Sequence, residues 1–379
     1  NYTLAGPVRP LATMWETMQR REELDFWGLT RHYAMQSRRF GGAVPEHLQS
    51  HFLAIRGKML ASEDFWAYWQ KMKLPHSYEE SVISHETRFT RYFAQKGYKW
   101  DSYVQTEDLK GIFINPIMAC PKELLAEQHC PFFKRRSFFT SYRDELRRTD
   151  GNAAAELYAY LRQAASYPVD DLVRSLLRTQ PLSTLAQNLH WHYVVAEHCG
   201  GRDVSLQEAG LRLVRFAVGS EDPVTDWYLR KSVQDAEKML GQALALFEEN
   251  PLLGVLSPAL PLWPEAQRAA RKHWQEVGTR LAGKSSMPVN DDPPPAPLAG
   301  WALVRMAAFP QGVPTVEQKN DLWLLPLVAQ QNRYYSATFE GANQAAARAG
   351  YSDVYVQASA EPAAVAKQLG RLIKHKLKG

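Results

Sequence analysis

The chain has 379 residues, 45% of them hydrophobic and 22% charged, enough apolar content to fill two or three domain cores. That balance excludes disorder for most of its length, and 17 Tyr, 15 Phe and 11 Trp exceed what a core strictly needs, leaving rings to line a carbohydrate or ligand groove. The 45 basic residues outnumber 40 acidic ones for a net charge of +5, but both signs are scattered, so nucleic acid is not an expected partner.

No run approaches the roughly 18 apolar residues of a membrane-spanning helix, and Asn1-Tyr2-Thr3 opens without a basic and apolar leader. Neither a spanning nor a freshly exported chain is expected. Cys120, Cys130 and Cys199 form no CxxC pair and no zinc-ligand spacing, and their odd number argues for a reducing cytoplasm rather than a disulfide scaffold.

Asp25-Phe26-Trp27-Gly28-Leu29-Thr30 reads as a short buried strand closing in a turn, and His51-Phe52-Leu53-Ala54-Ile55-Arg56 as a second. A helix follows, capped by Ser62, with Glu63 and Asp64 suiting its N-terminus and Phe65, Trp66, Tyr68 and Trp69 as an aromatic flank. The spacing of Val82, Phe89 and Phe93 predicts another helix over 79–95, stopped by Gly97. Strand and helix in alternation indicate an α/β unit.

From 141 to 197 the pattern turns helical, with Leu157, Tyr160 and Leu161, then Val173, Leu176 and Leu177, separated by Pro168 and followed by Pro181. This reads as a helical bridge, broken at Gly200-Gly201. Ser205 with Glu208 resembles a capping box and predicts a helix through Phe216. A longer helix is predicted over 225–249, using Leu229, Val233, Ala236, Leu240, Leu244 and Phe247, and 251–256 leads into a strand.

The prolines of 288–297 forbid regular structure and read as a linker or stiff loop. Residues 321–335 and 362–378 read as helical, around a strand-like Val354-Tyr355-Val356. In the last segment Lys367, Arg371, Lys374, Lys376 and Lys378 occur with no acid between them, while Val365, Leu369, Leu372, Ile373 and Leu377 recur at helical spacing. Such a basic amphipathic helix either lies on an anionic membrane surface or covers its own domain's core.

His47-Leu48-Gln49-Ser50-His51 sets two imidazoles four apart, on one face if the segment is helical, as a metal pair requires. Leu48 stands where a zinc hydrolase of the HExxH kind carries its glutamate, so zinc hydrolysis is not indicated. Gln49 and Ser50 hydrogen-bond a sugar hydroxyl or merely satisfy a turn. Glu79, Glu80, His85 and Glu86 form the densest acid and imidazole cluster of the first half, and Glu86 is the candidate to take the proton from an acceptor hydroxyl in a glycosyl transfer. The plain alternative for any helix glutamate is a solvated surface.

Lys134-Arg135-Arg136 follows Pro131-Phe132-Phe133 and sets positive charge beside apolar surface, which suits a phosphate or diphosphate; such runs also cap helices or face solvent. Asp291-Asp292 offers oxygen ligands for a divalent ion, in a proline-rich setting that equally describes a solvated loop. Neither GxGxxG nor a Walker loop occurs, and His190 and His192, alternating with aromatics, read as structural.

The succession Gly6-Pro7, Asp25-Phe26-Trp27-Gly28-Leu29-Thr30, His47-Leu48-Gln49-Ser50 with Phe52 and Arg56, Phe65-Trp66 to Trp69, Glu86 to Thr90, Asn115-Pro116 and Pro131-Phe132-Phe133-Lys134-Arg135 resembles the rhamnan synthesis F family. Phe247 to Gly254, Gly300-Trp301 to Arg305, Leu324-Leu325-Pro326 and Tyr334 to Ala337 resemble its later module more loosely.

The resemblance implies an α/β fold: an incomplete or divergent A-type glycosyltransferase-like domain over 1–140, the helical bridge over 141–200, and a second glycosyltransferase-like module over 201–379 with the basic helix at its end. It implies a glycosyltransferase in rhamnose-rich cell-surface polysaccharide biosynthesis, such as lipopolysaccharide O-chains. The donor would be a nucleoside-diphosphate sugar such as dTDP-rhamnose, and the acceptor a growing lipid-linked glycan at the inner face of the cell membrane.

On this reading Glu86 is the base, Lys134 and Arg135 stabilise the leaving diphosphate, and His47 and Gln49 orient sugar hydroxyls. Asp25 helps form the sugar site or anchors the turn after it. Mg2+ or Mn2+ is the implied cofactor, with unidentified ligands, and no organic cofactor is expected. Tyr2 stands where the family carries an acid and Leu322-Trp323 where it carries a Glu-Arg-like pair. These departures support the alternative of a catalytically inactive glycan-binding or assembly module.

Overall fold

The computed structural model of the chain describes residues 3–37, 41–110, 112, 115–140, 151–165, 167–195, 205–261, 264–316 and 319–341. Two units divide it, Asn1–Val169 and Asp170–Gly379, and the division falls inside the segment read as a helical bridge. That segment holds helices Ala153–Gln163, Val169–Leu177 and Leu182–Asn188.

In the first unit the apolar run at Phe26–Gly28 is the middle strand of a three-stranded sheet. It pairs antiparallel with Leu53–Ile55 and parallel with Trp100–Ser102. Gly28 permits this pairing: a Cβ there would lie 3.1 Å from Leu48 Cδ2 and 3.2 Å from the Phe52 carbonyl oxygen. Three two-stranded ribbons surround the sheet, joining Leu4–Ala5 to Phe133–Lys134, Arg31–His32 to His47–Leu48, and Met35–Ser37 to Gly42–Val44.

Two predicted helices cover one side of this core. Ser62 caps Glu63–Gln70, its Oγ accepting the Phe65 N–H at 3.2 Å, a bond worth about 1 kcal/mol. Residues 78–95 are helical throughout, but in three parts: α-helical Tyr78–Ser81, a π-helical turn over Val82–Glu86, and α-helical Thr87–Gln95. Gly97, at φ +89°, closes it. Phe65, Tyr68, Phe89 and Phe93 meet Phe26, Leu48 and Met59 in one buried cluster, each large side chain contributing roughly 1.5–3 kcal/mol. Arg56 Nη2 donates to the Met18 and Arg21 carbonyls at 2.6 and 3.0 Å, tying down the end of helix Ala12–Gln19.

The second unit is built on a mixed five-stranded sheet ordered His192–Val195, Tyr335–Gly341, Leu253–Pro258, Trp301–Arg305, Leu211–Arg215. The first three run parallel, and Trp301–Arg305 runs antiparallel to both its neighbours. Leu253–Pro258 is buried along its whole length, as expected for a strand with paired neighbours on both edges. Helices Pro223–Gln234, Ala236–Glu249, Pro264–Ser285 and Leu324–Gln331 accompany the sheet, so this unit too is α/β.

Three sequence expectations fail here. Ser205 Oγ accepts the Glu208 N–H at 3.4 Å, but the capped turn ends at Gly210, φ +67°, and Leu211–Arg215 is a strand. Five paired residues with Trp301–Arg305 outweigh a local cap. The helix predicted over 225–249 is two, separated by Asp235, whose carboxylate takes Lys231 at 3.3 Å and Lys238 at 3.0 Å. The helix predicted through Tyr335 stops at Gln331, Arg333 turns the chain at φ +65°, and Tyr335–Gly341 is the parallel strand between the first and third of the sheet.

The proline-rich run lacks regular structure but is fastened: Asn290 bonds Ser183 Oγ at 2.6 Å and Thr184 Oγ1 at 2.9 Å, and its carbonyl accepts Trp274 Nε1 at 2.9 Å. The Val354-Tyr355-Val356 strand, the basic helix over 362–378, Gly200-Gly201, Cys199 and Tyr2 lie outside the described residues.

Candidate functional site

The strand pair Arg31–His32 and His47–Leu48 places His32 directly across from His47. Their rings stack with centroids 5.1 Å apart and planes 19° apart. His47 Nδ1 lies 2.7 Å from the Pro45 carbonyl and His32 Nδ1 2.8 Å from the Tyr33 carbonyl. A carbonyl only accepts, so each Nδ1 carries the proton. Burial pushes His32 down to about 4, helped by the charge His47 would carry. Burial also lowers His47, against the pull of the Pro45 carbonyl, Glu86 and Glu46. Both rings are therefore neutral at pH 7, each with Nε2 as its acceptor.

Glu86 ends the π-helical turn, and its Oε1 accepts the Ser50 backbone N–H at 2.7 Å. One turn on, Thr90 Oγ1 accepts the Leu48 N–H at 3.1 Å, so the helix holds the 48–50 segment by two bonds. The segment is a strand at His47–Leu48 that passes into a turn at Ser50-His51, not a helix, which corrects the metal-pair reading: His47 goes to His32, whereas His51 Nε2 lies 3.2 Å from Thr30 Oγ1. Thr30 donates to Gln49 Oε1 at 2.8 Å, so its single proton is spent and His51 must donate to it. Gln49 Nε2 then donates to Asn115 Oδ1 at 3.3 Å.

That chain of His51, Thr30, Gln49 and Asn115 ends near a cation. Burial holds His51 well below its ordinary value, and the neighbouring charge of Lys134 pushes the same way. Lys134 lies in the strand paired with Leu4, the Arg135 N–H donates to the Thr3 carbonyl at 2.8 Å, and Arg135 Nε is buried with no partner. Behind the site, Trp27, Phe52 and Phe132 form an aromatic row with centroid spacings of 5.5 and 6.2 Å.

The structure thus brings Glu86, His47, Gln49, Lys134 and Arg135 into one region. It leaves Asp25 apart, at the far end of strand Phe26–Gly28, where Oδ2 accepts the Lys99 N–H at 2.8 Å and anchors the pairing to Trp100–Ser102. Sequence reasoning missed His32, Thr30 and the polar chain through Asn115. Cross-strand pairing of Arg31-His32 with His47-Leu48 was the available signal.

Beside the histidines, the Arg31 guanidinium bonds Asp101 and Glu107 and reaches Glu46 Oε1 at 3.2 Å. Lys110 takes the other Glu46 oxygen at 3.0 Å. The nearby carboxylates are thus committed to cations. Among the described residues no group of three His, Cys, Asp or Glu side chains could hold a metal ion. Asp292 faces Arg271 at 3.6 Å. His192 bonds Thr338 Oγ1 at 2.9 Å and buried Glu340 at 3.1 Å across the parallel pair. Nor, among the described residues, is any helix long and apolar enough to cross a membrane.

No curated protein and no solved structure matches the chain. The family model described as rhamnan synthesis protein F matches residues 1–205, which takes in every residue of this region and more than half of the 379. The chain belongs to the rhamnan synthesis protein F family, and its role lies in rhamnan synthesis, a branch of polysaccharide biosynthesis.

Proposed function

We propose that the chain is a nucleotide-sugar-dependent glycosyltransferase with a divergent A-type fold. It transfers a deoxyhexose, rhamnose, from a nucleoside-diphosphate donor such as dTDP-rhamnose to a growing lipid-linked glycan at the cytoplasmic face of the membrane. The observation that carries this reading is the Glu86 carboxylate, fixed by the Ser50 N–H at 2.7 Å and grouped with neutral His47 and the Lys134-Arg135 pair.

Glu86 takes the proton of the acceptor hydroxyl as that oxygen bonds to the sugar's anomeric carbon. The bond from that carbon to the diphosphate breaks, and the nucleoside diphosphate leaves with the electron pair. Lys134 and Arg135 offset its charge. His47 Nε2 accepts from a sugar hydroxyl. Gln49, bonded to Thr30 and Asn115, keeps one N–H and one lone pair for another. The described carboxylates do not fit Mg2+ or Mn2+, and no step is routed through either ion.

A catalytically silent glycan-binding or assembly module is the second reading. Leu322 and Trp323 favour it: both are wholly buried and Trp323 Nε1 donates to His273 Nδ1 at 3.0 Å, a packed core where the resemblance implies a Glu-Arg-like pair. Saturation-transfer NMR against a panel of nucleoside-diphosphate sugars, with and without magnesium, separates the two. Selective donor binding, lost in Lys134→Ala/Arg135→Ala, supports transfer; no binding by a folded chain supports the silent module.

A further inference from the structure

His32 takes no part in moving the acceptor's proton or in holding the diphosphate, yet it stands directly across the strand pair from His47, ring on ring at 5.1 Å. His47 is buried and His32 half-buried. Each spends its Nδ1 proton on a backbone carbonyl, of Tyr33 for His32 and of Pro45 for His47, which fixes the ring and leaves Nε2 as a bare lone pair. No described residue donates to either Nε2. Two neighbouring acceptors withdrawn from bulk water call for two neighbouring donors.

The surroundings narrow what those donors belong to. An imidazole held by a carbonyl at Nδ1 also suits a metal ion, but among the described residues no third His, Cys, Asp or Glu completes a ligand group with this pair. Of the two carboxylates within electrostatic reach of His47, Glu46 is taken by Arg31 and Lys110. Glu86 holds the Ser50 N–H through one oxygen, which leaves the other for the acceptor's proton. Neither is left over to hold a cation, so the donors that suit the pair are uncharged hydroxyls. The segment 47–51 runs from His47, beside Glu86, to His51, beside Lys134. A donor whose diphosphate lies at Lys134 therefore directs its sugar towards His47.

We propose that His32 and His47 together read a vicinal diol, each Nε2 accepting one of two adjacent hydroxyls of the transferred deoxyhexose, which makes His32 a specificity-determining residue. This assignment rests on the transfer reading. Adjacent hydroxyls on a sugar ring point apart, so their protons reach two acceptors one ring-stack apart, whereas a single hydroxyl serves only one of them. A sugar that lacks either hydroxyl leaves one imidazole unpaired, and the site rejects it on that account.

The test is titration calorimetry of the full chain with dTDP-rhamnose, with its analogues lacking the 2-, 3- or 4-hydroxyl, and with dTDP alone. Two analogues, lacking adjacent hydroxyls, are expected to bind about tenfold or more weaker than the parent, and the other within about threefold of it. His32→Phe keeps a ring against His47 but has no lone pair. In it the parent is expected to weaken by about the same tenfold and one of those two analogues to lose its penalty, while dTDP alone binds as in wild type. The analogue series on the wild-type chain needs no variant and decides the matter if His32→Phe misfolds. Donor binding with a penalty on no hydroxyl, on one alone or on two that are not adjacent overturns the pair and leaves the transfer reading standing, as does a folded His32→Phe that behaves as wild type. A folded chain that binds neither dTDP-rhamnose nor dTDP removes the transfer reading and the pair with it.

Discussion

Glu86 accepts the backbone N–H of Ser50 across 36 residues of chain, so the carboxylate read as the base also clamps the turn that follows strand His47–Leu48 and Gln49. Glu86→Gln keeps an oxygen for that N–H and removes only the proton-accepting charge. Turnover is expected to fall roughly hundredfold with the melting temperature within a degree or two. A transfer assay beside a thermal melt checks both, and unaltered turnover removes Glu86 from the chemistry.

Stability of the first unit is expected to drop in mild acid. His32, His47 and His51 all have folded-state values below the ordinary 6.5, so the unfolded chain binds protons that the folded chain refuses. Their stabilisation is complete above about pH 6.5 and is lost as pH falls towards 4, where His32 protonates in place. His32→Asn keeps a donor for the Tyr33 carbonyl and removes the titration. Urea melts at pH 7 and pH 5 should differ less in this variant than in wild type, by on the order of 2 kcal/mol.

Arg31 is the only described cation bonded to Asp101, Glu46 and Glu107 together. Arg31→Ala leaves three facing carboxylates without it and is expected to cost about 3 kcal/mol in urea unfolding. Arg31→Lys should recover only part of that, because an ammonium lacks the planar fork that spans several partners. Full recovery by lysine would show that charge alone matters there.

Gly6→Ala is expected to destabilise by about 2 kcal/mol, since its Cβ would lie 2.7 Å from the Pro131 carbonyl oxygen and 2.8 Å from Phe132 Cδ1, at φ +133°. Gly57 is the control. It opens a helix, a Cβ there meets nothing within 4 Å, and Gly57→Ala should be neutral or stabilising by about 0.5 kcal/mol. Equal melting temperatures for the two variants would refute the packing argument.

Cys120 and Cys130 should resist alkylation in the native chain at pH 8 and react on unfolding, because burial pushes both thiols up to about 12. Peptide mapping after a short iodoacetamide pulse reads each site.

The elements legible in the sequence were those whose signal is local. Ser62 caps because its side chain reaches three residues on, and Phe89 with Phe93 shows its face at helical spacing. The helices read through Phe216 and through Tyr335 ran into strands 211–215 and 335–341, whose partners lie tens of residues away, and pairing with Trp301–Arg305 and Leu253–Pro258 overrides local preference there. In the site, Glu86, His47, Gln49 and Lys134 were legible as residue types in motifs. Their bonding was not: nothing local announces that Thr30 spends its proton on Gln49, or that His47 faces His32 rather than His51.

The π-helical turn at Val82–Glu86 holds about one residue more than an α-helical turn would. Keeping every residue but straightening 78–95 into plain α-helix would rotate everything before the turn by about 100° relative to the residues after it. Thr90 and the two phenylalanines flanking it would keep their places, while the bond from Tyr68 to the His85 carbonyl would be broken. The π turn therefore absorbs the surplus residue, letting this segment match the aromatic helix upstream and the His47 strand downstream, which a plain α-helix through all of the same residues would not.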